Sequence, residues 1–221
     1  MQTKPIHPIR NFLHINLAGG AHSGKTTTFD YIKENLPEAF KNFDGKITFF
    51  FNEEEAQKLI RLHLGLDDLS FQLRVLSEQM AKFQKAKAYA ELHPDEIVIV
   101  CSDRSFVDSA VYVDSPEIEA IGLTYLEKLT DHYFFFDFHP SFVTENLNAN
   151  DTPRKEHSVL ELSNLAAKTK TVYTNPQLID QNKITFIPVF DCLEDKIAFA
   201  AKAIEDIVIS YTKNMVATTG K

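Results

Sequence analysis

The chain has 221 residues but no tryptophan, two cysteines and seven glycines. It has no basic excess and no apolar run near the roughly 20 residues that a membrane-spanning helix needs. Each shortage excludes something. Cys101 and Cys192 cannot build a disulfide framework, so a reducing, cytoplasmic setting is the expectation. The balance of 31 acidic against 23 basic residues leaves a formal charge of −8. That disfavours nucleic acid as the main partner, although a local basic groove stays open. No membrane attachment is expected. Lys4 and Arg10 before "FLHINLAGGA" imitate a leader peptide weakly, but His14 and Asn16 interrupt the run and suit a buried strand better.

What is present is a hydrophobic content of 44%, enough for one sizeable core. Apolar runs alternate with helical patterns. "NFLHINLA" (11–18), "KITFFF" (46–51), "EIVIVC" (96–101), "HYFFFDF" (132–138) and "KITFIPV" (183–189) read as strands. The third has no alternation, which indicates burial on both faces. Helices are expected from about Gly24 to Pro37, briefly through Leu59 and Leu62, from Leu69 to Leu92, and around 105–112 and 117–130. The long one carries a stripe of Leu69, Leu73, Leu76, Met80, Phe83 and Ala90. A last helix carries Leu193, Ile197, Ala201, Ile204, Val208 and Tyr211, with Asp191 as its expected N-cap. Strands alternating with helices imply an α/β fold, a parallel sheet covered on both faces. Residues 1–211 form one expected domain. The polar excursion 139–182 breaks the rhythm and reads as a mobile lid, weakly helical from Ser158 to about Lys168, and 212–221 reads as a frayed tail.

Between the first strand and first helix stands "GGAHSGKT": Gly19, Gly20, Ala21, His22, Ser23, Gly24, Lys25 and Thr26. This is the Walker A phosphate-loop pattern in its required context. Gly19 and Gly24 permit backbone conformations that turn successive N–H groups inward. Lys25 would reach the terminal phosphates of a nucleotide, Thr26 would set its hydroxyl on Mg²⁺, and the helix N-terminus favours negative charge. Thr27, next in line, is a further candidate for binding the nucleotide, although it and Thr28 fall inside the helix and read mainly as structural.

Ligands of an open parallel sheet bind beyond the strands' carboxyl ends. The second strand ends in Asn52, Glu53, Glu54 and Glu55; the third in Ser102, Asp103, Arg104 and Ser105. Asp103 is a candidate for holding the metal through water or for taking a proton from an acceptor hydroxyl; the alternative is a helix N-cap. Arg104 suits a phosphoryl clamp or a surface ion pair. The three glutamates also suit an acidic first helical turn. Gln72 and Gln79, seven apart, share a face from which a base or ribose could be bound, the alternative being solvated glutamines; Lys82, Lys85 and Lys87 read as a solvated face. In the excursion, Arg154 beside Lys155 could bring positive charge to a moving phosphoryl; the alternative is a solvated loop arginine. The eight histidines, His139 and His157 among them, show no ligand spacing.

"GGAHSGKTT", "NEEEA", "DRSFVDSAVY" and "DTPR" together resemble the P-loop nucleoside and nucleotide kinase superfamily, and within it the AAA-type group that includes the ribosylnicotinamide kinase domain. Asp103, Arg104, Asp108 and Tyr112 match the group's Asp-Arg element, Glu54 with Ala56 its first acidic element, and Asp151 with Arg154 its lid element. Thr152 replaces a usual glycine, and Gln57 with Lys58 replace an expected arginine. The resemblance implies a three-layer P-loop NTPase fold with sheet order 2-3-1-4-5 and ATP as donor. By analogy with deoxynucleoside kinases it also supports Asp103 as a base.

The reading is an ATP·Mg²⁺-dependent phosphotransferase. Lys25, Asp103, Arg104 and Arg154 are catalytic candidates. Thr26 and Asp103 stand on the metal side, and Glu54, Gln79, Asp103 and Arg104 toward a nucleoside-like small-molecule acceptor. A homodimer is compatible with it. A regulatory ATPase switch and a polynucleotide 5′-kinase are the alternatives. The guanine signature is lacking, since "NKIT" has no aspartate and precedes its strand. No aromatic platform for a strand end is evident.

Overall fold

The structure, a computed structural model, describes residues 11–56, 59, 62, 68–112, 127–138 and 159–219. Five strands form one parallel sheet: β1 (Phe12–Gly19), β2 (Lys46–Asn52), β3 (Glu96–Ser102), β4 (His132–Phe136) and β5 (Ile184–Ile187). Their order is β2-β3-β1-β4-β5, the order the resemblance implies. Among the described residues, the helices of seven residues or more are α1 (Lys25–Ala39), α2 (Asp68–Leu92), α3 (Phe106–Tyr112), α4 (Val159–Thr174) and α5 (Leu193–Thr219).

Strand alternation divides the core into two layers. Leu13, Ile15 and Leu17 of β1, Ile97, Ile99 and Cys101 of β3, and Phe134 and Phe136 of β4 face Phe29, Ile32 and Leu36 of α1 and Ala200, Ile204 and Val208 of α5. The opposite side chains meet the other helices. Val98 and Val100 pack with Ala86 and Ala90 of α2, while Tyr133 and Phe135 pack with Val107 of α3 and Val172 and Tyr173 of α4. β3 is buried along its whole length, as its unbroken apolar run requires. Each fully buried Phe or Ile contributes about 1.5–3 kcal/mol.

The structure departs from the sequence reading at four places. On α2 the buried residues are Val75, Gln79, Phe83, Ala86 and Ala90, whereas Leu69 and Leu73 are 44% and 47% exposed. Only the second half of this helix lies on the sheet. The first half extends past the sheet's carboxyl edge, where Val75 packs on Ala56 and Leu59. The expected stripe therefore holds only from Phe83 onward, with Leu76 and Met80 half-buried.

At α5 the cap is Cys192, not Asp191: its Sγ accepts from the Asp195 amide at 3.4 Å and its carbonyl from the Lys196 amide at 3.4 Å. The expected frayed tail is helical to Thr219, because Thr212 is buried and Met215 packs on the core. The second half of the expected lid is a packed helix, α4, with Leu162, Ala166, Thr169, Val172 and Tyr173 buried. Residues 139–158, with Asp151, Thr152, Arg154, Lys155, His139 and His157, lie outside the described residues, as do Gln57, Lys58 and 117–126. Among the described residues no helix is long and apolar enough to cross a membrane.

Candidate active site

β1 hands the chain directly to the glycine-rich loop. Gly19 has φ +126°, and a Cβ there would lie 2.4 Å from the Phe136 carbonyl oxygen. Gly24 has φ +89°, and a Cβ there would lie 3.0 Å from Leu193 Cδ1. Both positions therefore disfavour a side chain by conformation, and at Gly19 the backbone carbonyl leaves no space for one. His22 also takes a left-handed conformation, at φ 55°. Ser23 is buried. Gly24 is the N-cap of α1 and supplies no side-chain cap, which leaves first-turn amides for an anion. Gly20 lies against Ala166 of α4, where a Cβ would come within 3.1 Å of the alanine Cβ. Ala21 is half-buried in the same turn.

Lys25 folds over this loop. Its Nζ donates to the carbonyls of Gly19 at 2.8 Å and Gly20 at 2.5 Å and to Ser23 Oγ at 3.3 Å. The ammonium is thus held at the loop mouth by weak acceptors that an anionic oxygen would outcompete. Thr26 and Thr27 are exposed; Thr28 is buried and bonds to the Gly24 carbonyl at 2.9 Å, the structural role expected of it.

The edge beside the loop carries the acids. The Asp103 amide donates to the Asn52 carbonyl at 2.9 Å, which extends the β2–β3 pairing and fixes the side chain's position. Asp103 is 2% exposed. It is hydrogen-bonded to the Thr26 hydroxyl, and burial, followed by the charge of Glu54, pushes its carboxyl up to about 7 against the pull of Lys25 and Thr26. Its Oδ1 is buried with no hydrogen-bond partner among the described residues. The cap alternative fails, because Ser105 Oγ accepts from the Val107 amide at 3.0 Å and so caps α3.

Arg104 is buried, not a surface ion pair. Its Nη1 reaches Glu54 Oε1 at 3.4 Å and its Nη2 donates to Gln72 Oε1 at 3.2 Å. Gln79 donates to the Arg104 carbonyl at 3.5 Å, and its Oε1 is buried without a partner among the described residues. The other glutamates are structural: Glu53 pairs with Lys33 at 2.6 Å, and Glu55 pairs with Lys82. Lys82 is therefore not a purely solvated residue.

Sequence reasoning gave two further buried groups no role. Asp108, on α3, accepts from the Tyr173 hydroxyl at 2.8 Å. Burial raises its carboxyl to about 6, opposed first by the charges of Lys25 and Arg104. It was visible only as part of "DRSFVD". Lys196, on α5, is fully buried and donates to the Asp137 carbonyl at 2.7 Å. Burial pushes its ammonium down to about 8, with Asp137 opposing and Lys25 adding to the shift. An isolated lysine in an amphipathic helix carries no sequence signal of this kind. Beneath the site, His14 is neutral, its ring pushed down to about 4 by burial. Its Nδ1 donates to the Leu129 carbonyl at 2.9 Å, and its Nε2 meets the Ser102 hydroxyl at 3.0 Å.

The donor set at Thr26 and Asp103 is all oxygen, which suits a hard cation such as Mg²⁺. The Asp103 oxygen that has no partner among the described residues, on a carboxyl bonded to the Thr26 hydroxyl, fits such an ion.

No protein-family model matches the chain, and no curated protein matches it in sequence. Solved structures do match in fold. Deoxyadenosine kinase from M. mycoides, with dCMP and a flexible dCDP bound, aligns at TM-score 0.53 and 11% identity over 88% of this chain and 100% of that one. Thymidylate kinase from Ehrlichia chaffeensis aligns at TM-score 0.55 and 16% identity over 89% of this chain and 97% of that one. The chain shares its fold with these two structures.

Proposed function

We propose that the protein transfers the γ-phosphoryl group of ATP to a nucleoside- or nucleotide-like small molecule. The observation that carries this reading is the buried Asp103 carboxylate, hydrogen-bonded to Thr26 at the head of a phosphate loop, with an oxygen left unpartnered among the described residues. The loop amides and the α1 N-terminus take the β- and γ-phosphates. Lys25 exchanges its loop carbonyls for phosphate oxygens and follows the charge that develops on the moving group. Thr26 and Asp103 would hold Mg²⁺, which neutralises charge on the β- and γ-oxygens when bound. Asp103 alternatively takes the acceptor's proton, and a carboxyl near 7 is poised for that at neutral pH.

Arg104 is held from two sides by Glu54 and Gln72, so its guanidinium is oriented before any ligand arrives. That preorganisation suits it to fix an acceptor phosphate or hydroxyl. Glu54 and Gln79 complete the acceptor side. Arg154 is the proposed second cation around the transferring phosphoryl. The fold shared with two kinases supports the reaction class, and the acidic and amide groups around Arg104 support a polar acceptor.

The test is a screen with γ-labelled ATP against nucleosides, nucleotides, ribosylnicotinamide and 5′-hydroxyl oligonucleotides. Label on a nucleoside or nucleotide is expected, and Lys25→Ala abolishes it. Hydrolysis that no acceptor stimulates, or label on an oligonucleotide alone, refutes the reading.

A further inference from the structure

We propose that Lys196 is a positioning residue of the phosphate site, clamping the end of β4 beneath the glycine loop and adding a second fixed positive charge behind Lys25. The proposal rests on the nucleotide reading above. Its geometry spans the whole loop. Leu193 and Lys196, one turn apart on α5, are the side chains that a Cβ at Gly24 would meet, at 3.0 Å and 3.8 Å. From there the lysine stem runs to its hydrogen bond with the Asp137 carbonyl, and its Nζ stands 5.9 Å from the centroid of the Phe136 ring. The Phe136 carbonyl is the group that confines Gly19. One side chain thus ties the loop's last glycine to the strand end that holds its first.

Packing alone does not explain the charge. An ammonium loses hydration when buried, and a methionine would fill the same space without that cost. Among the described residues, charges that act on Lys196 come from Lys25 on the loop side and Asp137 at the end of β4, whose carboxylate Lys170 of α4 binds at 2.5 Å. On its own helix Glu194 and Asp195 occupy the exposed first turn. In the ligand-free protein Lys25 and Lys196 repel each other. A polyphosphate in the loop relieves that repulsion and is attracted by both, so binding favours the protonated amine. Placed between α5 and the end of β4, Lys196 acts through the loop's shape and field.

The test is calorimetric titration with Mg·ADP at about pH 7 to about pH 9.5, on wild type, Lys196→Met and Lys25→Ala, alongside thermal melts of the unliganded proteins. Lys196→Met should bind about tenfold more weakly at about pH 7 without a lower melting temperature. Wild-type affinity should fall as pH rises through the lysine's range near 8, and the methionine variant should lack that fall. Equal affinity of the two proteins, or the same pH dependence in both, overturns the proposal. Should Lys196→Met not fold, Lys196→Arg replaces it: the arginine must hold at about pH 9.5 the affinity that wild type has lost, and a parallel loss overturns the proposal. Lys25→Ala separates the two readings. If it still binds Mg·ADP, the phosphate-loop reading itself fails; if it does not, the result for Lys196 stands alone.

Discussion

Replacing Asp103 by asparagine should make the ligand-free protein more stable and abolish the proposed phosphoryl transfer. The substitution keeps the shape of the side chain and a partner for Thr26 but removes a charge that is 2% exposed. The carboxyl moves from its ordinary 3.8 to about 7 on folding, chiefly through burial and then through the charge of Glu54. A carboxyl raised by folding contributes stability that is complete below 3.8 and is lost as pH rises toward the folded value. The gap of about three pH units corresponds to about 4 kcal/mol at roughly 1.36 kcal/mol per unit. Water entering around the charged form reduces this, so about 2–4 kcal/mol is expected at about pH 8. With a urea dependence of about 3 kcal/mol per M, the midpoint for Asp103→Asn should rise by about 1 M. The measurement is urea unfolding followed by circular dichroism, in EDTA, at about pH 4.5, 6 and 8. At about pH 4.5 the difference should shrink to about 1 kcal/mol or less. A variant no more stable than wild type at about pH 8, or a difference that ignores pH, refutes the claim that Asp103 is a strained, functional charge.

Gly19→Ala should destabilise by about 3 kcal/mol or more, because φ +126° and a contact of 2.4 Å with the Phe136 carbonyl leave no room for a Cβ; a loss below about 1 kcal/mol in urea unfolding would contradict the loop geometry. Glu96 is held down to about 2, first by its bond from Lys46 and then, against burial, by Thr48 and Tyr89. Its stabilisation is complete above its ordinary 4.5 and lost as pH falls through 2, so Glu96→Gln should show a shallower acid-unfolding curve followed by circular dichroism, and parallel curves would mean the clamp adds nothing.

Local pattern carried much of the fold. A strand that is apolar at every position, as in "EIVIVC", fits only a place buried on both faces, and β3 takes that place beside β1. The conformation of the glycine-rich loop was legible because its glycines answer a backbone requirement, and the structure puts positive φ at Gly19 and Gly24. Periodicity misled where its assumption failed. The rule of an apolar stripe supposes that a whole helix lies on the core, but α2 overhangs the sheet edge, so Leu69 and Leu73 are exposed while Gln79 is buried. The cap at Asp103 and the cap at Asp191 fell to neighbours, Ser105 and Cys192, one or two positions away. Propensity ranks residue types, whereas the chain's path selects the position.

Sequence by itself determined which chemistry the chain brings: two glycines with a lysine and a threonine between a strand and a helix, and an Asp-Arg pair at the end of another strand. Those are local facts, set by neighbours a few residues apart. Only the tertiary structure decided what surrounds them. Parallel pairing of β1 between β3 and β4 brings Asp103 against Thr26, Arg104 between Glu54 and Gln72, and Lys196 beneath the loop. Charge strength depends on burial and on partners distant in sequence, and those are properties of the packed sheet, not of any short stretch of chain.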